Sequence, residues 1–469
     1  MITLLHFLVY FGMFSCIISR SSGPVWNVRN RRSGNELWQT NNLNGFIEKG
    51  YYVEMLIGTP PQALNILLDT GSSNFAVASK SNPLISKYFE AKNSTSIRDM
   101  NLQDIDIEYT EGFWKGHLVT DLVSVPTAGM EKSARVSMAE ITESEKFFIA
   151  ESGWQGILGL GYDELIRPSH SNTKAFMRSV VDEIGIDDIF SLQLCMADVR
   201  KFSDSVSGTF ILGDYDRSVG TIYWTRIVRE WYYDVLVIGM KVGNTTVSVS
   251  CTEFNNDKAI VDSGTTNLHL PQKIFSMVTE IMKKHLATLL PDLVVHDSFW
   301  TGGSLLCWDD SVDPYSLFPV ITIYLPSIEI NHTITLSVHP EHYVLFYGND
   351  TDMEKACYKY GISLSSSGTV LGAVVMEEYN VVFDRANRRV GFALSNCSST
   401  SKLVYDSGYI NSTSCVYESN KSPSTMQIAM YVILGLLILC MAPVCVLSYT
   451  WCRKKKKYSS LVENPMTAD

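Results

Sequence analysis

Arginine and lysine form no stripe in the long middle of the chain, and no cysteines there have the close spacing of a zinc site. With 38 Lys+Arg against 49 Asp+Glu and a net charge of -11 when every His is neutral, the basic footprint of a nucleic-acid partner is missing. A His-Glu-x-x-His run is absent too, which removes the sequence mark of a helix-borne zinc hydrolase. Helical periodicity is scarce: 174–183 and 272–289 are the best candidates, the second starting just past Pro271. What remains is a chain of 469 residues, 46% hydrophobic, long enough for two lobes plus accessory segments.

The ends differ from the middle. Residues 1–19 are short and apolar, with Leu4, Leu5, Phe7 and Leu8 at their centre, and read as a signal peptide despite lacking a basic start. A prosegment over 20–32 ends in Arg29-Asn30-Arg31-Arg32, a basic cluster of the kind a proprotein convertase cuts, with cleavage expected after Arg32. Within 426–450, residues 428–449 are apolar and uncharged, long enough at ~1.5 Å per residue to cross roughly 30 Å of hydrocarbon. Arg453 and Lys454 to Lys457 follow at once, and such a cluster favours the cytoplasmic side. The expectation is a single-pass type I membrane protein, in contact with membrane lipid, of the Golgi, endosome and cell surface. Its catalytic domain would be luminal or extracellular, with a stalk at 418–425 and a cytoplasmic tail at 451–469. Five Asn-x-Ser/Thr sequons, at Asn93, Asn244, Asn331, Asn396 and Asn411, agree with that orientation. Six cysteines remain outside the end segments: Cys195, Cys251, Cys307, Cys357, Cys397 and Cys415. An oxidising compartment permits three disulfides among them, in any of about fifteen pairings.

From Gly50 onward, apolar and β-branched runs stop at Gly or Pro. Residues 51–58 end at Thr59-Pro60-Pro61, and 63–68 lead into Asp69. Similar runs recur at 208–213, 235–239 and 381–384, so the class expected is all-β with small helices. One sentence occurs twice: Leu67-Leu68-Asp69-Thr70-Gly71-Ser72-Ser73-Asn74 and Ile260-Val261-Asp262-Ser263-Gly264-Thr265-Thr266-Asn267, 193 residues apart. Each copy is followed by an apolar pair closed by Gly, Ile157-Leu158-Gly159 and Val370-Leu371-Gly372. The duplication sets an N-terminal β lobe at 45–218 and a C-terminal β lobe at 219–417.

Two equivalent strand ends would deliver two carboxylates to one centre. Carboxyls brought within about 3 Å cannot both ionise cheaply, so they share a proton and one acts as acid while the other acts as base. Asp69 and Asp262 are the candidate catalytic pair, activating water without a metal, a cofactor or a covalent intermediate. Gly71 and Gly264 permit the tight turns. Residues 107–116 read as a hairpin that covers an extended peptide, with Tyr109 and Trp114 as large amphipathic surfaces.

These residues resemble the pepsin-type aspartic proteases and, more narrowly, the β-secretase or memapsin group. The resemblance covers roughly 50–415 and is carried by 50–55, 64–77, 139–149, 229–233 and 261–268. It implies a bilobal pepsin-like acid protease fold followed by a single transmembrane helix. It matches Asp69 and Asp262 to the family's dyad, Tyr109 to the flap tyrosine and Trp114 to its hydrogen-bonding partner. Gly71, Thr110, Gly264, Thr265 and Thr266 fall where the family touches substrate, and the implied disulfides are Cys195 to Cys397, Cys251 to Cys415 and Cys307 to Cys357. His269 stands where the group usually has Arg, which is expected to weaken preference for acidic side chains. Tyr458-Ser459-Ser460-Leu461 fits a tyrosine-based signal for endocytic sorting machinery. The activity expected is a membrane-anchored endopeptidase that cuts luminal juxtamembrane segments of type I membrane proteins. The alternatives are a general pepsin- or cathepsin-like endopeptidase and an inactive peptide-binding receptor on the same fold.

Overall fold

Alternating burial along 50–57, with Tyr51, Val53, Met55 and Ile57 inward, is the period of a strand with one face on a core. In the computed structural model Gly50–Ile57 pairs antiparallel with Gln62–Asp69 and, at its far end, with Phe113–Val125. That second pairing closes the nine-stranded N-terminal sheet on itself. The structure describes residues 38–415 apart from 110–111, 196–207, 310–311, 351–354, 378, 398–401 and 408–414, with isolated residues and short pieces between 430 and 451.

Three sheets build the C-terminal half. A six-stranded sheet contains Ala259–Val261, a five-stranded one Ile321–Pro326 and His332–Val338, and a three-stranded one Lys355–Tyr360. A further five-stranded sheet stitches the halves, because Ile189–Leu194 pairs with Tyr379–Asp384. Helices occupy Phe176–Ile184 and Gln272–Leu289, close to the expected spans. Each buries one apolar face, Ile274, Phe275, Val278 and Met282 in the second. The run 235–239 departs from expectation: residues 235–238 form no strand. The Asn255 side chain takes the place of a neighbouring strand there, accepting from Val237 N at 2.8 Å and donating to Val237 O at 2.9 Å.

The expected transmembrane helix is corrected. Among the described residues no helix is long and apolar enough to cross a membrane. The long helix Gln272–Leu289 carries Lys273, Glu280, Lys283 and Lys284. Most of 426–450 lies outside the described residues, as do the signal peptide, the prosegment with Arg29, Arg31 and Arg32, and the tail after Trp451. The expectation of a single-pass type I membrane protein, and the Golgi, endosome and cell-surface placement built on it, is therefore not carried forward. The architecture is a β fold with small helices and a closed N-terminal barrel.

Disulfides join Cys195 to Cys397, Cys251 to Cys415 and Cys307 to Cys357, the pairs that the resemblance implies. Asn93, Asn244, Asn331 and Asn396 are exposed, and Asn411 lies outside the described residues.

Candidate active site

Each signature strand runs beside the Gly-closed strand that follows it later in the chain. Gln62–Asp69 is parallel to Gly156–Gly159, with Asp69 opposite Gly159, and Ala259–Val261 is parallel to Thr369–Leu371. The chain after Asp69 is then held by main-chain bonds, Leu160 N to Asp69 O and Gly161 N to Ser72 O, both 2.8 Å. A Cβ at Gly159 would meet the Ser73 backbone at 2.5 Å, and one at Gly372 the Asn267 carbonyl at 2.3 Å, so both strands close on glycine. Behind the first loop, Arg385 from the C-terminal half donates to Leu160 O at 3.3 Å, Gly161 O at 3.2 Å and the Tyr233 hydroxyl at 2.9 Å.

The loops grip one another reciprocally. Thr70 N donates to Ser263 Oγ at 3.1 Å and Ser263 N donates to Thr70 Oγ1 at 2.9 Å. The hydroxyls in turn donate to the facing strands, Thr70 Oγ1 to Val261 O at 2.9 Å and Ser263 Oγ to Leu68 O at 2.8 Å. All four bonds are buried, which fixes the two loops in one register.

The carboxyls meet across that grip. Asp69 and Asp262 are only 5% and 7% exposed. Each lies over the glycine of the other signature: a Cβ at Gly71 would come within 2.5 Å of the Asp262 carboxyl, and one at Gly264 within 2.2 Å of Asp69 Oδ1. Each also has its own donors. Gly71 N reaches Asp69 Oδ1 at 2.8 Å and the Ser72 hydroxyl donates to Asp69 Oδ2. Gly264 N reaches Asp262 Oδ1 at 2.9 Å and Thr265 Oγ1 reaches Asp262 Oδ2 at 2.7 Å. Burial, and after it the charge of Asp262, pushes the Asp69 carboxyl up from an ordinary 3.8 to about 8, against the opposing bonds from Ser72 and Gly71. A buried carboxyl that keeps its proton beside a second carboxyl is an acid-base pair.

Tyr109 follows the strand Ile105–Glu108, which pairs with Phe113–Val125, and its N–H donates to Gly112 O at 3.0 Å. Trp114 is fully buried, and its indole N–H donates to the Tyr109 hydroxyl at 3.2 Å. The Tyr109 ring stacks on Phe147, with centroids 5.7 Å apart. Burial and then the Asp69 charge drive the Tyr109 hydroxyl far above its ordinary range, while Trp114 and Ser72 bond to it in the opposite sense. The hydroxyl therefore stays protonated, a donor above the carboxyl pair. Thr110 lies outside the described residues.

Thr266 Oγ1 donates to Ile47 O at 2.8 Å, tying the second loop to the N-terminal half. His269 is half-buried on Leu268–Pro271, opposite Ser363 and Val370. Sequence reasoning did not single out Tyr232, whose hydroxyl is raised first by burial and then by the charges of Asp262, Asp257 and Asp69. Its only signal was the run 229–233, quoted for the resemblance.

Comparison with known proteins agrees with this geometry. The Eukaryotic aspartyl protease family matches residues 50–395. A beta-secretase of Strongylocentrotus purpuratus is 40% identical over 443 residues, covering 88% of this chain and 81% of that protein. Pepsin A of Gallus gallus is 28% identical over 75% of this chain and 86% of its own length, and cathepsin D of Mus musculus 29% over 75% and 82%. The chain belongs to the eukaryotic aspartyl protease family, closely related to beta-secretase, and is an aspartic endopeptidase.

Proposed function

We propose that this chain is a general pepsin-like endopeptidase in which Asp69 and Asp262 together activate the attacking water. Membrane anchoring, and with it the cutting of juxtamembrane segments, forms no part of the reading, because no described helix can span a bilayer. The observation that carries it is the reciprocal placement of each carboxyl over the other signature's glycine.

The ionised member of the pair takes a proton from a water held between the two carboxyls, and the hydroxide attacks the scissile carbonyl carbon. The protonated member gives its proton to the carbonyl oxygen, forming a neutral gem-diol. Collapse returns one hydroxyl proton to a carboxylate as the C–N bond breaks, and the other carboxyl protonates the departing amine nitrogen. Gly71 N, Ser72, Gly264 N and Thr265 hold the carboxyls in place. The substrate is an extended peptide lying under the hairpin, where the Tyr109 hydroxyl and Trp114 exclude water.

Digestion of a peptide library by the purified protein, compared with Asp69→Asn and Asp262→Asn, tests this. Wild type should cut between apolar residues in acid, and both variants should lose at least about 10³-fold in kcat. Undiminished cleavage by either variant would overturn the assignment.

A further inference from the structure

Another buried carboxyl lies behind the Asp262 loop, outside the chemistry above. Glu377 follows the short helix Ala373–Met376, and its side chain is 1% exposed. It accepts at Oε1 from the Tyr51 hydroxyl, which comes from strand Gly50–Ile57 in the other half, 326 residues away. Its Oε2 faces Nδ1 of His342 at 2.9 Å, again 1% exposed, on the helix Pro340–Tyr343. Burial, and then the Glu377 charge, drives the Tyr51 hydroxyl far above its ordinary range, so it remains a donor. A carboxylate this deep is tolerated only when it is well bonded, and removing one partner is costly.

The tie has a definite far end. Ala373 N donates to Thr265 O at 2.8 Å and Val374 N to Thr266 O at 3.0 Å, while Glu377 N closes the helix onto Ala373 O at 2.8 Å. Thr265 is the residue whose hydroxyl holds Asp262 Oδ2. The path therefore runs from the N-terminal barrel through Tyr51, Glu377 and one helical turn to the loop that carries Asp262.

We propose that Glu377 is a positioning residue for the hydrolysis: held by Tyr51 and His342, it fixes the helix that sets Asp262 against Asp69. This rests on the reading of those two as the catalytic pair. Its effect should fall on turnover and on the pair's shared titration, and leave peptide binding largely alone.

The test is steady-state cleavage of one peptide from pH 3 to 7 by wild type, Tyr51→Phe, Glu377→Ala, Glu377→Gln and the Tyr51→Phe/Glu377→Ala double variant. Rates are referred to active sites titrated with a hydroxyl-bearing peptide mimic of the tetrahedral intermediate, so loss of folded protein drops out. Expected are a fall of about tenfold in kcat for Tyr51→Phe and Glu377→Ala, KM within about threefold of wild type, and a displaced acidic limb. Glu377→Gln, which keeps a carbonyl for Tyr51, should recover most of the turnover, and the double variant should be no worse than Glu377→Ala. Wild-type kcat and pH profile in Tyr51→Phe or in Glu377→Ala, or losses that multiply, would overturn the proposal. If Glu377→Ala does not fold, Tyr51→Phe alone decides by the same readouts. Asp262→Asn separates the two ideas: if it is inactive while Tyr51→Phe behaves as wild type, only the positioning role falls.

Discussion

The Asp69 proton has a consequence for stability that can be measured without substrate. Its carboxyl is raised from 3.8 to about 8, first by burial and then by the charge of Asp262. Below pH about 4 both folded and unfolded chains carry the proton, so the group is neutral in the balance. Between there and pH about 8 the unfolded chain releases the proton and the folded one keeps it, so stability falls as pH rises; above that, the penalty stays constant. At 1.36 kcal/mol per unit over roughly 4 units the ceiling is about 6 kcal/mol, and no solvent discount applies to a side chain only 5% exposed. Asp69→Asn removes the titration. Its amide oxygen can accept from Gly71 N, which now reaches Oδ1 at 2.8 Å, and its NH₂ takes the Oδ2 position, where the Ser72 hydroxyl can turn to accept from it. Urea unfolding of wild type and Asp69→Asn at pH 4, 6 and 8 should give a difference that grows steadily in favour of the variant, reaching several kcal/mol at pH 8. The slope is diagnostic, because any fixed packing offset cancels in it. A difference that stays flat within about 1 kcal/mol over that range would show that Asp69 holds no extra proton in the folded state, and the shared-proton argument would go with it.

Two other outcomes follow from the same loops. Thr70→Val deletes a hydroxyl that serves both Ser263 N and Val261 O; two buried groups left unpaired should cost about 2–5 kcal/mol in urea unfolding, and a loss under about 0.5 kcal/mol would contradict the grip. Trp114→Phe keeps most of the buried ring but removes the N–H that reaches the Tyr109 hydroxyl at 3.2 Å. One such bond is worth about 1.4 kcal/mol, so kcat/KM should drop about tenfold, and an unaltered kcat/KM would remove the hairpin from the mechanism.

What could be read in the sequence was local or repeated. The signature strands announce themselves because apolar period, Gly stops and a second copy coincide; the strands ending at Asp69 and preceding Asp262 lie where the pattern put them. The helix at Gln272–Leu289 starts just past Pro271 because proline ends a strand without disturbing the turn that follows. Residues 235–238 failed as a strand for a reason no local pattern carries. Their partners are an Asn255 side chain and the carbonyls of Ala259 and Tyr324, which lie in different sheets. Glu377 was illegible in the same way, since a glutamate after a short apolar run is ordinarily exposed and only the fold brings Tyr51 to it. The apolar run at 428–449 has the length and hydropathy of a span, whereas no helix among the described residues is long and apolar enough to cross a membrane.

The symmetry of the two loops makes their differences informative. Both carboxyls take one main-chain N–H and one hydroxyl at the same offsets, from Gly71 and Ser72 or from Gly264 and Thr265. What breaks the equivalence lies outside those loops. The hairpin that brings Tyr109 belongs to the N-terminal half alone, and after burial the charge of Asp69 raises its hydroxyl; Tyr232 comes from the other half, and after burial Asp262 is the first charge to raise it. On the far side, Asp262 is reached through Thr265 from the helix that Glu377 anchors. Duplication therefore accounts for two carboxyls that can share a proton. The unshared attachments make the two carboxyls unequal, and acid-base chemistry needs one member protonated while the other is ionised.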